Sequence, residues 1–136
     1  MRFIQPRATR RRAIAAVEAA LVLPVVLFFL AAIIDLGRLG RICDSVSTAA
    51  RNGAQYGSAS ATAAADSTRI RAAAVTEMAN LPKVTGTNPT VTATTVTYSG
   101  KPFIQVTVTY DMTGTSAFSF FPVTSVTRSV LMRMMP

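Results

Sequence analysis

Histidine and tryptophan are absent from this chain, and Cys43 is its only cysteine. With no His and no second Cys, the inventory excludes a zinc site, a Cys/His nucleophile pair and an intrachain disulfide. Cys43 is expected to pack as a small apolar residue on a helix. Acids are scarce as well, 6 Asp and Glu in 136 residues. They form no paired carboxylates, and no phosphate-cradling Gly loop accompanies them. The reading is therefore of a protein that is not an enzyme, with no catalytic residue, cofactor or metal.

Against so few acids the chain carries 14 Lys and Arg, a formal charge of +8. That balance invites a nucleic-acid reading, but the distribution argues otherwise. Arg2, Arg7, Arg10, Arg11 and Arg12 all precede the first apolar run, and setting those five aside leaves 9 basic against 6 acidic residues. The remainder forms no basic face interleaved with aromatics, so nucleic acid is not an expected partner. A basic block directly before an apolar segment sets topology instead, because Lys and Arg are retained on the cytoplasmic side. Arg10, Arg11 and Arg12 are the residues assigned that role.

From Ala13 to Ile34 the sequence AIAAVEAALVLPVVLFFLAAII runs for 22 residues with one charge, Glu18, and one helix breaker, Pro24. As a helix it spans about 33 Å, enough to cross a hydrocarbon core of about 30 Å. A cleaved secretory signal is the alternative. It calls for a shorter apolar run ending at an A-x-A-like site, whereas Ile34 is followed by Asp35-Leu36-Gly37-Arg38. Helical periodicity then continues through Leu36, Leu39, Cys43, Val46, Ala50, Gly53 and Gly57, with polar residues on the other faces. The expected organisation is a basic cytoplasmic leader over 1–12, a transmembrane helix over 13–35, an amphipathic extension over 36–57 and an extracytoplasmic α+β domain over 58–136.

Within that domain, Ser58 to Ala65 reads as a connector. Asp66 is an N-cap for a second helix reaching about Asn80, with Ile70, Ala73/Ala74, Glu77/Met78 and Leu81 on one face. Beyond Gly86 the residues turn β-branched. Thr90–Tyr98 and Phe103–Met112 are expected strands joined across Ser99-Gly100, with Ile104, Val106, Val108 and Tyr110 facing inward. The apolar parity of the first strand changes between Ala93 and Val96, which predicts a bulge. A third strand over 125–134 places Val126, Val130, Met132 and Met134 on one face. Phe118-Ser119-Phe120-Phe121-Pro122 is expected to be a loop tucked over the sheet edge, and Gly53-x-x-x-Gly57 a packing contact. The fold class is α+β: a long N-terminal helix, a second short helix and a three-stranded antiparallel sheet.

Glu18 stands out, because a carboxylate at mid-bilayer costs about 2.5–3.5 kcal/mol on insertion scales. Two explanations remain open on spacing alone: a functional carboxylate, or one near the interface that pairs with the leader arginines.

Arg11-Arg12-Ala13-Ile14-Ala15-Ala16-Val17-Glu18-Ala19-Ala20-Leu21-Val22-Leu23-Pro24 resembles the opening of the TadE-like family, minor pilin-like proteins of the tight-adherence (Flp) pilus apparatus. Asp35-Leu36-Gly37-Arg38 and Ala49-Ala50-Arg51-Asn52-Gly53-Ala54-Gln55-Tyr56 resemble the rest of that motif. The resemblance implies a bacterial inner-membrane protein with a periplasmic C-terminal domain. Its partners would be pilin and pseudopilin subunits, the pilus assembly machinery and a prepilin peptidase. It further implies a prepilin-like signal cut between Ala13 and Ile14, with Glu18 as the assembly carboxylate. Ala13 stands where prepilins prefer Gly, and Ala19 where they prefer an aromatic. A cut there would expose an α-amine at Ile14 that the Glu18 of a neighbouring subunit could neutralise. Ala15, Ala16, Ala19 and Ala20 would keep the contact face small, and Pro24 would kink or loosen the helix. The other functional class is a membrane-tethered extracytoplasmic binding module with no role in a fibre.

Overall fold

Ala-rich and Leu-rich sequence without a stop signal keeps the N-terminal half helical. In the computed structural model, which describes residues 7–85, 87–112 and 124–135, helix α1 runs unbroken from Arg7 to Ser58 with Pro24 inside it. Its 52 residues extend about 78 Å. Two short helices follow, α2 (Ala61–Ala65) and α3 (Ser67–Thr76), then strands β1 (Thr90–Tyr98), β2 (Lys101–Asp111) and β3 (Ser125–Arg133). The strands form one antiparallel sheet in the order β1-β2-β3. The class is α+β, as the sequence predicts.

The second half of α1 lies across the inner face of the sheet, with α3 beside it. Ile104, Val106, Val108 and Tyr110 of β2 are all fully buried against Val46, Ala49, Ala50 and Ala54 of α1 and Ile70, Ala74 and Met78. β3 contributes Val126, Val130 and Met132, with Met134 just past its end. The expected inward faces of β2 and β3 are therefore those observed. The expected α1 stripe holds from Leu39 to Gly57, while Leu36 is 57% exposed. Ile42, Ala49 and Ala54 widen the stripe, because both the sheet and α3 cover this helix.

Gly53 and Gly57 let the sheet approach the helix backbone. A methyl at Gly53 would meet Val106 Cγ1 at 3.2 Å, and one at Gly57 would collide with Ile104 Cδ1 and lie 3.2 Å from Ile70 Cδ1. The pair is thus a packing contact between helix and sheet, and it fixes direction: β2 descends α1, so the Ser99-Gly100 turn lies toward the α1 C-terminus. Met135 N–H donates to Ser58 O at 2.9 Å at that same end. Gly57→Ala should lower the domain's stability by about 1–3 kcal/mol through overpacking, despite the helix-propensity gain of nearly 1 kcal/mol. Gly40→Ala, with nothing within 4 Å of the added methyl, should raise it by up to about 1 kcal/mol. Thermal melting of the two variants tests this; equal shifts would contradict the contact.

Four local expectations are corrected. The supposed connector contains α2, capped by Ser60, whose hydroxyl accepts from Ala63 N–H at 3.1 Å. Asp66 does cap α3, accepting from Arg69 N–H at 3.0 Å, but the helix ends at Thr76 rather than near Asn80. Tight turns, Met78 N–H to Val75 O and Leu81 N–H to Met78 O, replace the helical ladder there. β2 begins at Lys101, two residues early, and includes Pro102. Tyr98 pairs with Lys101 across the turn, so Pro102 points away from β1, and its carbonyl accepts from Met134 N–H at 3.0 Å. The missing proline N–H falls where β3 has ended. Finally, no bulge exists in β1: pairing runs continuously from Thr90↔Thr109 to Tyr98↔Lys101. The apolar residues change face instead, Val91 and Ala93 inward, Val96 and Tyr98 outward beside Phe103.

Positive φ at both Ser99 (52°) and Gly100 (75°) gives the two-residue turn that matches strand twist. On the outer face, hydroxyls bridge the strands: Thr109 to Thr127 at 3.0 Å, and Thr107 and Gln105 to Ser129 at 3.1 and 2.9 Å. Across the α3-to-β1 segment, the Tyr110 hydroxyl donates to Pro82 O, and Asn88 brackets Asp111 through its N–H and carbonyl. Burial, and then the neighbouring Asp111 charge, raise the Tyr110 pKa, so the neutral phenol is the folded form. The expected loop over 118–122 lies outside the described residues.

Candidate functional site

Among the described residues, those of α1 that pack on the core begin at Leu39, beyond the first half of the helix. From Arg11 to Ile34 every residue is exposed except Ala31 and Ala32, which are partly covered. Exposed apolar side chains include Val17, Leu21, Val22, Leu23, Val25, Leu27, Phe28, Phe29 and Ile33. So contiguous an apolar surface is far larger than soluble proteins leave in water. The segment is long and apolar enough to cross a membrane.

Every candidate residue of the sequence reading falls on this bare stretch or just before it. Arg10, Arg11 and Arg12 lie in the first turns of α1, followed by Ala13, Ile14, Glu18 and Pro24. Ala13, Ile14 and Glu18 are exposed. Ile14 and Glu18 are one turn apart on one face, with Leu21, Val22 and Val25 continuing the stripe. Among the described residues no ion pair of Glu18 is found, whereas Arg69 pairs with Asp66 at 3.4 Å. The helix itself explains this. Arg12 and Arg11 stand six and seven residues before Glu18, about 10 Å along the axis. The carboxylate is exposed and faces outward, toward whatever surrounds α1.

Asp35 was not singled out by the sequence and is the residue at which the helix changes character. It is only 8% exposed, partnered, and lies between the bare stretch and the packed one. Its burial is tertiary, and only its place at the end of the apolar run could have pointed to it. Beyond it, Arg38 and Arg41 are exposed. They line a shallow notch with Ile34 and Gly37.

The outer sheet face presents a second surface. Tyr98 is 69% exposed, Val96 and Leu131 are exposed, and the Tyr98 ring meets Phe103 edge-on at 6.3 Å. Among the described residues no group of three or more His, Cys, Asp and Glu could hold a metal ion.

No curated protein and no solved structure matches the chain. The family model described as TadE-like protein matches residues 13–55. That region, about a third of the chain and all of it within α1, is TadE-like.

Proposed function

We propose that the chain is a minor pseudopilin or assembly component of a tight-adherence type IV-like pilus, held in a bacterial inner membrane by a prepilin-like helix. The observation that carries this reading is the exposed apolar half of α1 with one exposed carboxylate, inside the TadE-like region. Residues 1–12 form the cytoplasmic leader and 13–35 the span, while 36–57 belong to a periplasmic body completed by 58–136. A prepilin peptidase cuts between Ala13 and Ile14 and removes the leader arginines. Glu18 of one subunit then meets the Ile14 amine of the next, so that two charges costly in lipid cancel and fix the axial step between helices. The small side chains of Ala15, Ala16, Ala19 and Ala20 let the helices approach, and Pro24 loosens the ladder one turn beyond Ala20. The work is assembly rather than catalysis.

A membrane-tethered binding module is the second reading, and exposed Val96, Tyr98 and Leu131 beside Phe103 favour it. Only the first reading requires Glu18.

Topology is the first test. Cys43 is half-buried against the core, so a better reporter is Gly40→Cys in a Cys43→Ala background, at an exposed site with open space around it. A membrane-impermeant maleimide should label it from the periplasmic side of spheroplasts and not from the cytoplasmic side of inverted vesicles. Labelling from the cytoplasmic side alone would overturn the orientation.

A further inference from the structure

We propose that Arg38 and Arg41, with the open backbone at Gly37 beside Arg38 and one turn before Arg41, form a binding site for the phosphate of an anionic phospholipid in the outer leaflet. The proposal rests on the membrane-spanning reading of α1. Ile34, Gly37, Arg38 and Arg41 line one notch, and their spacing of three, four and seven places them on one helical stripe. Ile34 is exposed and ends the apolar run. Arg38 and Arg41 therefore stand about 6 and 10 Å further along the axis, the depth of a headgroup layer beyond a hydrocarbon core.

Both arginines are exposed, and three residues apart their Cβ atoms are about 5–6 Å from each other, close enough for two guanidinium forks to grip one phosphate. Nothing lies within 4 Å of the position a Gly37 Cβ would occupy, so a phosphate can approach the helix surface. Among the described residues neither guanidinium is paired with a carboxylate. Asp35, three residues before Arg38, is buried and partnered. Arginine just outside a span also opposes the inward bias set by the leader arginines. A lipid phosphate offsets that charge where it stands. An acidic segment of a partner protein is the competing occupant, but the alignment of the notch with lipid-facing Ile34 favours the lipid.

The test uses the full chain in detergent, titrated with phosphatidylglycerol, phosphatidylcholine or inorganic phosphate and read by native mass spectrometry. The leader is kept in every variant, so its contribution cancels. Arg38→Ala/Arg41→Ala should weaken phosphatidylglycerol retention about thirtyfold, from two surface arginines lost. Arg38→Lys/Arg41→Lys should lose part of it, because lysine grips a phosphate as a point charge. Unchanged retention in the double alanine variant overturns the site. So does equal retention of phosphatidylcholine, or displacement of the lipid by millimolar phosphate. Intact lipid retention with lost co-purification of pilus proteins would assign the arginines to a protein partner and likewise overturn it. Alkaline extraction of membranes separates this outcome from the parent reading: a chain that resists extraction yet fails the lipid test removes only the site, and a chain that is extracted removes the span.

Discussion

Val106→Asp should unfold the domain that the sheet forms with α3 and the second half of α1. Val106 is fully buried, faces Ala93 and Val130 on the flanking strands, and rests against the α1 backbone at Gly53. The substitution removes the methyl groups that fill this contact and places an unpaired carboxylate where neither helix nor sheet offers a donor. A buried charge of that kind costs several kcal/mol, against a total stability of about 5 kcal/mol for a small domain. Thr94→Asp is the control, since Thr94 lies on the outer face one residue from Ala93 and is exposed. It should leave melting nearly unchanged. The measurement is far-ultraviolet circular dichroism of the full chain in detergent against temperature. A Val106→Asp chain that melts like the parent would mean that the sheet presents its other face to α1.

The alternation in β2 was readable because a sheet covered on one face only must repeat with period two, and Ile104, Val106, Val108 and Tyr110 do. β1 misled for the same reason. Its apolar residues change parity, and a bulge is the local way to return them to one face. The sheet instead leaves Val96 and Tyr98 outside, next to Phe103, where a cross-strand cluster forms without breaking the register. The helix α2 is too short to show a period, and its one signal, Ser60 as a cap, is lost among neighbouring Ser, Ala and Thr. The end of α3 was misplaced because Pro82 is a visible stop, whereas the turns that end the helix at Thr76 carry no such residue.

In the candidate site, composition made Glu18 and the leader arginines legible: one acid in an apolar run and a basic block before it. Asp35 and the Arg38/Arg41 notch were not, since the first depends on burial by tertiary packing and the second on empty space beside Gly37.

Glu18→Ala should leave the chain in the membrane and abolish its incorporation into the assembly. Removing a carboxylate from an apolar helix eases insertion by as much as about 2.5–3.5 kcal/mol, so resistance to alkaline extraction should persist or improve. Incorporation is another matter. If the carboxylate answers the Ile14 amine of a neighbour, its loss leaves that amine charged and unpaired in lipid, a penalty of several kcal/mol repeated at every interface. Glu18→Gln should fail nearly as badly, keeping shape but not charge. Cleavage between Ala13 and Ile14 should survive both changes if the peptidase reads mainly the small residue and the basic leader, which both variants keep. The account therefore turns on the intact mass of the chain beside its co-purification with pilus proteins, for the parent and Glu18→Ala in the native host. It predicts chains beginning at Ile14 in both, and co-purification in the parent alone. Normal co-purification of Glu18→Ala, or a functioning assembly whose subunits keep Met1 to Ala13, would contradict it.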